Sequence, residues 1–255
     1  MKKSINTDKL YPVLSIITII FLWQIIVDLN NIPKYILPSP KGIALALKDD
    51  FHLIITHTKV TLYESFVGFI FSIILAFLLA ILMDSFTIIK KSFYPLLVIS
   101  QTIPTIAIAP IFIIWFGFGT LPKIIMVIMA CFFPIVISLV DGLEKIDNDY
   151  LRLFKTMNAS KLQTFYHLKL PYAIVHLLSG IKIAATYMIM TAVVSEWLGG
   201  ESGIGVYMVR AKNAYALDKV FASILVIMVV SILTIYIIDF LGNKLIHWKT
   251  KKKGV

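Results

Sequence analysis

Six apolar runs, each near the length of a membrane crossing, constrain this chain more than any motif does. A helix needs about 20 mostly apolar residues to cross the hydrocarbon core of a bilayer. The runs cover residues 11–27, 60–83, 93–116, 121–140, 172–194 and 220–241. The second contains Gly68 and one internal acid, Glu64; the third contains Pro104 and Pro110; the fifth is interrupted by Lys182. Charged residues make up 15% of the chain, against about 25% in an ordinary soluble domain. That is too little charge to cover a soluble globule. A soluble enzyme, a disordered chain and a secreted disulfide scaffold are therefore excluded. The expected fold is all-α: a polytopic membrane helix bundle with about six transmembrane helices, forming one transmembrane domain over residues 1–255.

Basic residues give the expected direction. With both termini cytoplasmic, the inner segments hold fifteen of the 24 Lys and Arg residues, and the outer segments hold eight. Lys123 and Lys219 count among the outer ones, Lys169 and the Lys251–Lys253 cluster among the inner ones. This bias follows the positive-inside rule. The N-terminal run follows Lys2 and Lys3, but no small-x-small cleavage site follows it. It reads as an uncleaved first span. The net charge of +10 is scattered between apolar runs, so it indicates membrane topology and no nucleic-acid partner. Cys131 is the only cysteine and reads as a packing residue.

Three connections are long. Residues 28–59 lie outside on this topology. They contain the extended turn Leu37-Pro38-Ser39-Pro40 and an amphipathic stretch over 43–55 expected along the membrane surface. Residues 195–218 also lie outside and carry Gly199-Gly200-Glu201-Ser202-Gly203-Ile204-Gly205, which reads as a flexible connector or as a closure for the outer mouth. No Gly-Lys pair, His-Glu-x-x-His or Gly-x-Ser-x-Gly occurs. The chain thus has no Walker loop, zincin site or nucleophile elbow. The five histidines are dispersed and read as surface polarity.

The inner connection, 141–171, is the most informative. Leu151, Phe154 and Met157 recur at helical spacing beside Arg152 and Lys155, and Leu162, Phe165 and Tyr166 make a second apolar patch. Asn158 tolerates a left-handed backbone better than most residues. The segment reads as a short helical hairpin broken at Asn158, with Pro171 opening the next span. Helices this short need a surface to pack on.

Along this segment the sequence resembles the permease subunit of bacterial binding-protein-dependent ABC importers, nearest to the nitrate, sulfonate, taurine and thiamine-precursor branch. Those permeases carry Glu-Ala-Ala, three residues, Gly, nine residues, then Ile-x-Leu-Pro. Here that spacing falls on Arg152-Leu153-Phe154, Asn158 and Leu168-Lys169-Leu170-Pro171. The Glu-Ala-Ala triplet is lost, and Asn158 and Leu168 replace Gly and Ile. Other segments resemble the family in the same order: Leu37-Pro38-Ser39-Pro40; Pro104 to Pro110 with Trp115-Phe116-Gly117-Phe118-Gly119; Asn158-Ala159-Ser160; and Glu196-Trp197-Leu198-Gly199 before Gly203-Ile204-Gly205.

The resemblance implies a multi-pass cell-membrane subunit without its own ATPase site or bound cofactor. ATP is used by a cytosolic ABC ATPase subunit, and an external substrate-binding protein and a second copy of the chain complete the assembly. Arg152, Leu153, Phe154, Lys155, Met157, Asn158, Ala159, Leu170 and Pro171 are the implied ATPase-coupling residues. Glu64, Gln101, Thr102, Thr105, Lys182 and Glu196 are candidates to line the path, because polar groups at membrane depth are expensive unless they serve a purpose. Structural pairing between helices stays open for Glu64 and is favoured for Lys182. An ion-coupled secondary transporter would call for several buried acids, whereas Glu64 is the one clear acid well inside a run. An intramembrane enzyme would need a nucleophile with a base or clustered ligands; only His176 comes near.

Overall fold

The computed structural model describes residues 10–245. The basic residues Lys2, Lys3, Lys9, Lys249 and Lys251–Lys253, which weigh in the orientation argument, lie outside the described residues. Helix α1 (Leu10–Leu29) is followed by α2 (Pro40–Asp49) and the 35-residue α3 (Phe51–Ser85). Then come α4 (Thr87–Ser100), α5 (Thr105–Phe116), α6 (Thr120–Glu144), α7 (Asn148–Thr156) and α8 (Lys161–Thr164). A π-helical turn over Phe165–Lys169 joins α8 to α9 (Leu170–Gly199), and α10 (Ile204–Asn213) and α11 (Leu217–Leu245) complete the chain.

Five of these helices are long and apolar enough to cross a membrane among the described residues, and α4 with α5 form a sixth candidate bent by 102°. Packing decides that the bent pair crosses. Down α3, Glu64, Gly68 and Ser72 meet Lys123, Val127 and Ile128 of α6 in turn, and Ala80 and Met83 share a cavity with Val140 and Leu143. The two helices therefore run parallel, so the chain must return between them. Helix α4 starts beside the end of α6, where Lys90 pairs with Glu144 and the Tyr94 hydroxyl donates to Asp141 at 3.3 Å. Helix α5 ends near the start of α6, with Ala109 and Phe112 packed on Met126. The expected third span is thus one crossing broken near its middle, where Pro104 carries no N–H to continue a helix.

Helices α3, α6 and α9 form the centre. A Cβ on Gly68 would lie 2.7 Å from Val127, and one on Gly180 would lie 2.8 Å from the Pro134 carbonyl. Both glycines let backbones approach closely, the small-residue packing common between helices in lipid. Cys131 is buried in this core, facing the Ala184 carbonyl. Helix α9 runs antiparallel to α6, and α11 packs on α9 through Leu178 and Gly242. The large apolar side chains of α1 point almost wholly outward, as a lipid-facing helix requires.

The bundle has two ends. The elbow end carries α7, α8 and the π-turn; the far end carries α2, α10 and the 200–203 loop. The amphipathic 43–55 stretch is not one surface helix: Ser39 caps α2 by accepting from the Gly42 N–H at 3.1 Å, and the chain breaks at Asp50. Ile54 already belongs to α3 and is fully buried. That helix starts nine residues ahead of the apolar run because its polar first turns pack on α10 rather than on lipid. Pro171 stands in the first turn of α9, as expected, but no break precedes it: the π-turn carries α8 into α9, so 161–199 is continuous helix.

Candidate functional site

The elbow begins one turn earlier than the apolar spacing suggests. Asp147 caps α7 by accepting from the Asp149 N–H at 2.9 Å. Asn158 turns the chain with φ of +53°, the left-handed geometry its short polar side chain tolerates. Ser160 and Gln163 then form a capping box on α8. Leu151 and Phe154 are half-buried, whereas Leu153 is 52% and Met157 70% exposed. Arg152 and Lys155 flank them in solvent, and Ala159 is half-buried behind the turn. Lys169 Nζ reaches Asp84 at the end of α3 at 2.7 Å, which ties the elbow to a second spanning helix. A groove of about 560 Å³ runs between α7 and α9, lined by Tyr150, His167, Pro171 and His176.

At the break in the third span, Ser100, Gln101 and Thr105 line a cleft of about 380 Å³ with Met129, Ala130, Phe133 and Pro134 of α6 and Tyr187 and Thr191 of α9. Met129–Pro134 sit at the middle of α6, so the cleft lies near mid-bundle. Thr102 is exposed at its rim, its hydroxyl donating to the Ile99 carbonyl at 2.7 Å.

The other path candidates lie elsewhere. Glu64 and Glu196 meet in a buried cluster at the far end, 0% and 1% exposed. Lys123 Nζ donates to Glu64 Oε1 at 2.8 Å and to the Ser202 carbonyl at 3.1 Å. The Thr61 hydroxyl donates to Glu196 Oε1 at 2.6 Å and accepts from the Ile204 N–H at 2.8 Å. The Gly205 N–H donates to Glu196 Oε2 at 2.6 Å, and the Gly203 N–H to His57 Nδ1 at 3.1 Å. Lys123 is therefore no free outer charge, and His57 is not surface polarity. Nor is the glycine-rich segment a flexible connector. Gly203 holds φ of +118°, and a Cβ there would lie 2.1 Å from Glu196 Oε1. The glycines make room for a buried carboxylate to be wrapped by backbone donors.

Lys182 pairs with Asp239 of α11 at 2.6 Å, half-exposed on the bundle surface. Asp239 is a second acid inside a span that sequence reasoning passed over. Its signal was there: a lone acid in the sixth apolar run needs a cation from another run, and Lys182, which interrupts the fifth, is a candidate. Beside the cluster, Asp50 accepts from the Tyr207 hydroxyl at 2.6 Å and meets Lys219 at 2.7 Å. Hydrogen bonds from Lys219 and Tyr207 hold the Asp50 carboxyl below its ordinary value. Burial, then the Asp50 contact, pushes the Tyr207 hydroxyl up. Among the described residues no group of three or more His, Cys, Asp or Glu is placed to hold a metal ion.

Residues 68–247 match the family described as the binding-protein-dependent transport system inner membrane component. The chain is 37% identical over 253 residues to the formylaminopyrimidine transport permease protein ThiX of Halalkalibacterium halodurans, covering 99% of this chain and 100% of the relative. It is 28% identical to the riboflavin transport system permease protein RibX of Chloroflexus aurantiacus, over 93% of this chain and 89% of that one. An inward-facing structure of the MetNI methionine ABC transporter superposes with a TM-score of 0.62 at 17% identity, over 77% of this chain and 96% of the other. That last likeness speaks to the fold alone.

Proposed function

Because this chain belongs to the binding-protein-dependent transport system inner membrane components, an ABC-importer permease family, we propose that it moves a small polar solute on force from a separate ATPase gripping its elbow. It is a multi-pass subunit of the bacterial plasma membrane, not an enzyme. The solute we assign is of the pyrimidine-precursor kind within the sulfonate, nitrate and thiamine-precursor branch. The end-to-end similarity to a formylaminopyrimidine permease supports that choice.

The observation that carries the coupling reading is the exposure of Leu153 and Met157 on a short helix tied to the spanning rod. Apolar side chains that face outward on a short helix beside Arg152 and Lys155 fit a partner better than water. Leu153, Phe154 and Met157 enter an apolar pocket of a cytosolic ABC ATPase subunit, and Arg152 and Lys155 meet acids at its rim. Asn158 and Ala159 shape the turn. Leu170 and Pro171 lie where the elbow passes into α9, so ATP-driven closure moves α9 as a lever and switches the bundle between inward and outward access.

In this reading residues 1–255 form one transmembrane domain with both termini cytoplasmic. Two copies enclose the path, two ATPase subunits bind the 141–171 elbows, and an external binding protein delivers solute to the far end. Gln101, Thr102 and Thr105 face the path, and Glu64, Glu196 and Lys182 support it from buried or inter-helix pairs. Replacing Phe154 and Met157 with Asp tests the coupling. Membrane levels should hold while ATP-dependent uptake is abolished; normal uptake by the double variant refutes the reading.

A further inference from the structure

The cleft at the broken third span has a chemistry of its own. Among the described residues, the carbonyls of Gln101, Thr102 and Ile103 accept no backbone hydrogen bond at the turn, and Pro104 has no N–H. Irregular backbone at membrane depth is tolerated only where protein or a water-filled cavity covers it, since each unsatisfied group costs several kcal/mol in lipid. This face therefore looks into an aqueous cavity or a second copy. The cleft it opens, about 380 Å³, lies within the range of small-molecule pockets, about 300–1,000 Å³.

Its lining discriminates. Ser100, Gln101, Thr105 and Thr191 offer hydroxyl and amide groups, and Phe133 and Tyr187 offer ring faces. No charged side chain takes part. A sulfonate or nitrate held here would lack the guanidinium or ammonium partner that anions recruit. We propose that this cleft is the solute-recognition subsite of the path, and that it takes an uncharged, planar, hydrogen-bonding ring of the aminopyrimidine class. The ring stacks on Tyr187 while the Gln101 amide, a donor and an acceptor on one plane, reads its polar edge. The assignment rests on the importer reading above and adds the residues and the solute chemistry to it.

The test uses the full assembly of permease, ATPase and binding protein in sealed vesicles. ATP-dependent uptake of a radiolabelled hydroxymethyl aminopyrimidine is compared with uptake of radiolabelled taurine. Binding-protein-stimulated ATP hydrolysis is read in parallel as the sign of an intact assembly. Tyr187→Ala and Gln101→Ala should each lower pyrimidine uptake at least tenfold with hydrolysis retained, and Tyr187→Phe should keep most of it. Unchanged uptake in both alanine variants, or loss of hydrolysis together with uptake, overturns the subsite. Equal loss in Tyr187→Phe overturns the stacking role. Wild-type transport of taurine but not the pyrimidine overturns the solute class alone. Uptake of neither with hydrolysis still stimulated by the binding protein likewise overturns the solute class; uptake of neither with no such stimulation removes the importer reading, and this inference with it.

Discussion

Lys123 donates to Glu64 across 2.8 Å in a site where both side chains are almost wholly enclosed. The pair joins α3 to α6, and Lys123 extends to the Ser202 carbonyl of the far-end loop. Removing one member leaves a buried charge uncompensated, which costs about 3–5 kcal/mol, whereas replacing both is far milder. Lys123→Met should lower the thermal midpoint of the detergent-purified protein sharply. The double variant Lys123→Met, Glu64→Gln should recover most of that loss. Equal damage in single and double variants would contradict the pairing.

Gly203 is required by backbone and space together. An L side chain at φ of +118° is strained, and its Cβ would strike Glu196. Gly203→Ala should unseat the loop and lower stability by more than about 2 kcal/mol. Gly242, in α11, has only ordinary contact at 3.7 Å around an added Cβ. Gly242→Ala should be neutral or stabilising by up to about 1 kcal/mol, since alanine is the better helix former. Thermal unfolding of the two variants side by side checks the contrast.

Asp50 makes far-end stability depend on acid. Its carboxyl sits below the ordinary 3.8 because Lys219 and Tyr207 hydrogen-bond to it. A carboxyl depressed in the folded state stabilises fully above its unfolded value, and that contribution shrinks as pH falls and is gone below the folded value. The wild type should thus lose a share of its stability as pH drops through about 4. Asp50→Asn should start less stable at neutral pH and show a shallower acid decline. Melting curves from pH 3 to 7, as a roughly spaced series, read the difference.

Asn158 turns the elbow with a left-handed backbone that β-branched residues avoid. Asn158→Gly should keep uptake at wild-type levels, because glycine takes φ of +53° freely. Asn158→Val should distort the turn and cut uptake severalfold while leaving the spanning bundle folded. Vesicle uptake with membrane abundance as control separates the two effects.

These residues also mark where sequence reading succeeds and where it stops. The spans were legible because lipid demands long apolar runs, and the turn at Asn158 was legible because few residues accept its geometry. The 102° break was not, since prolines at 104 and 110 suit a kink as well as a full interruption. The far-end cluster was hidden for another reason. Lys123 and the glycine-rich segment look like ordinary loop residues until α3, α6 and α9 converge, and no local pattern encodes a contact between positions 61 and 196.

The Lys182–Asp239 pair tests how a charge survives on the bundle's surface. The two side chains join α9 to α11 near mid-bundle, between the levels where Gly180 meets Pro134 and Ala184 meets Cys131, and both remain partly exposed. Exposure there means contact with lipid or its interface, where a lone charge is expensive and the partner offsets much of the cost. Lys182→Met should lower the amount of folded protein in the membrane, because Asp239 is left without its cation. Asp239→Asn should do the same by stranding Lys182, more mildly, since a lysine stem can carry its head toward the interface. Lys182→Met with Asp239→Asn should restore abundance toward wild type, a coupling of about 0.5–3 kcal/mol between contacting residues. Independent, additive losses in the double variant would mean that the two helices are held without this contact.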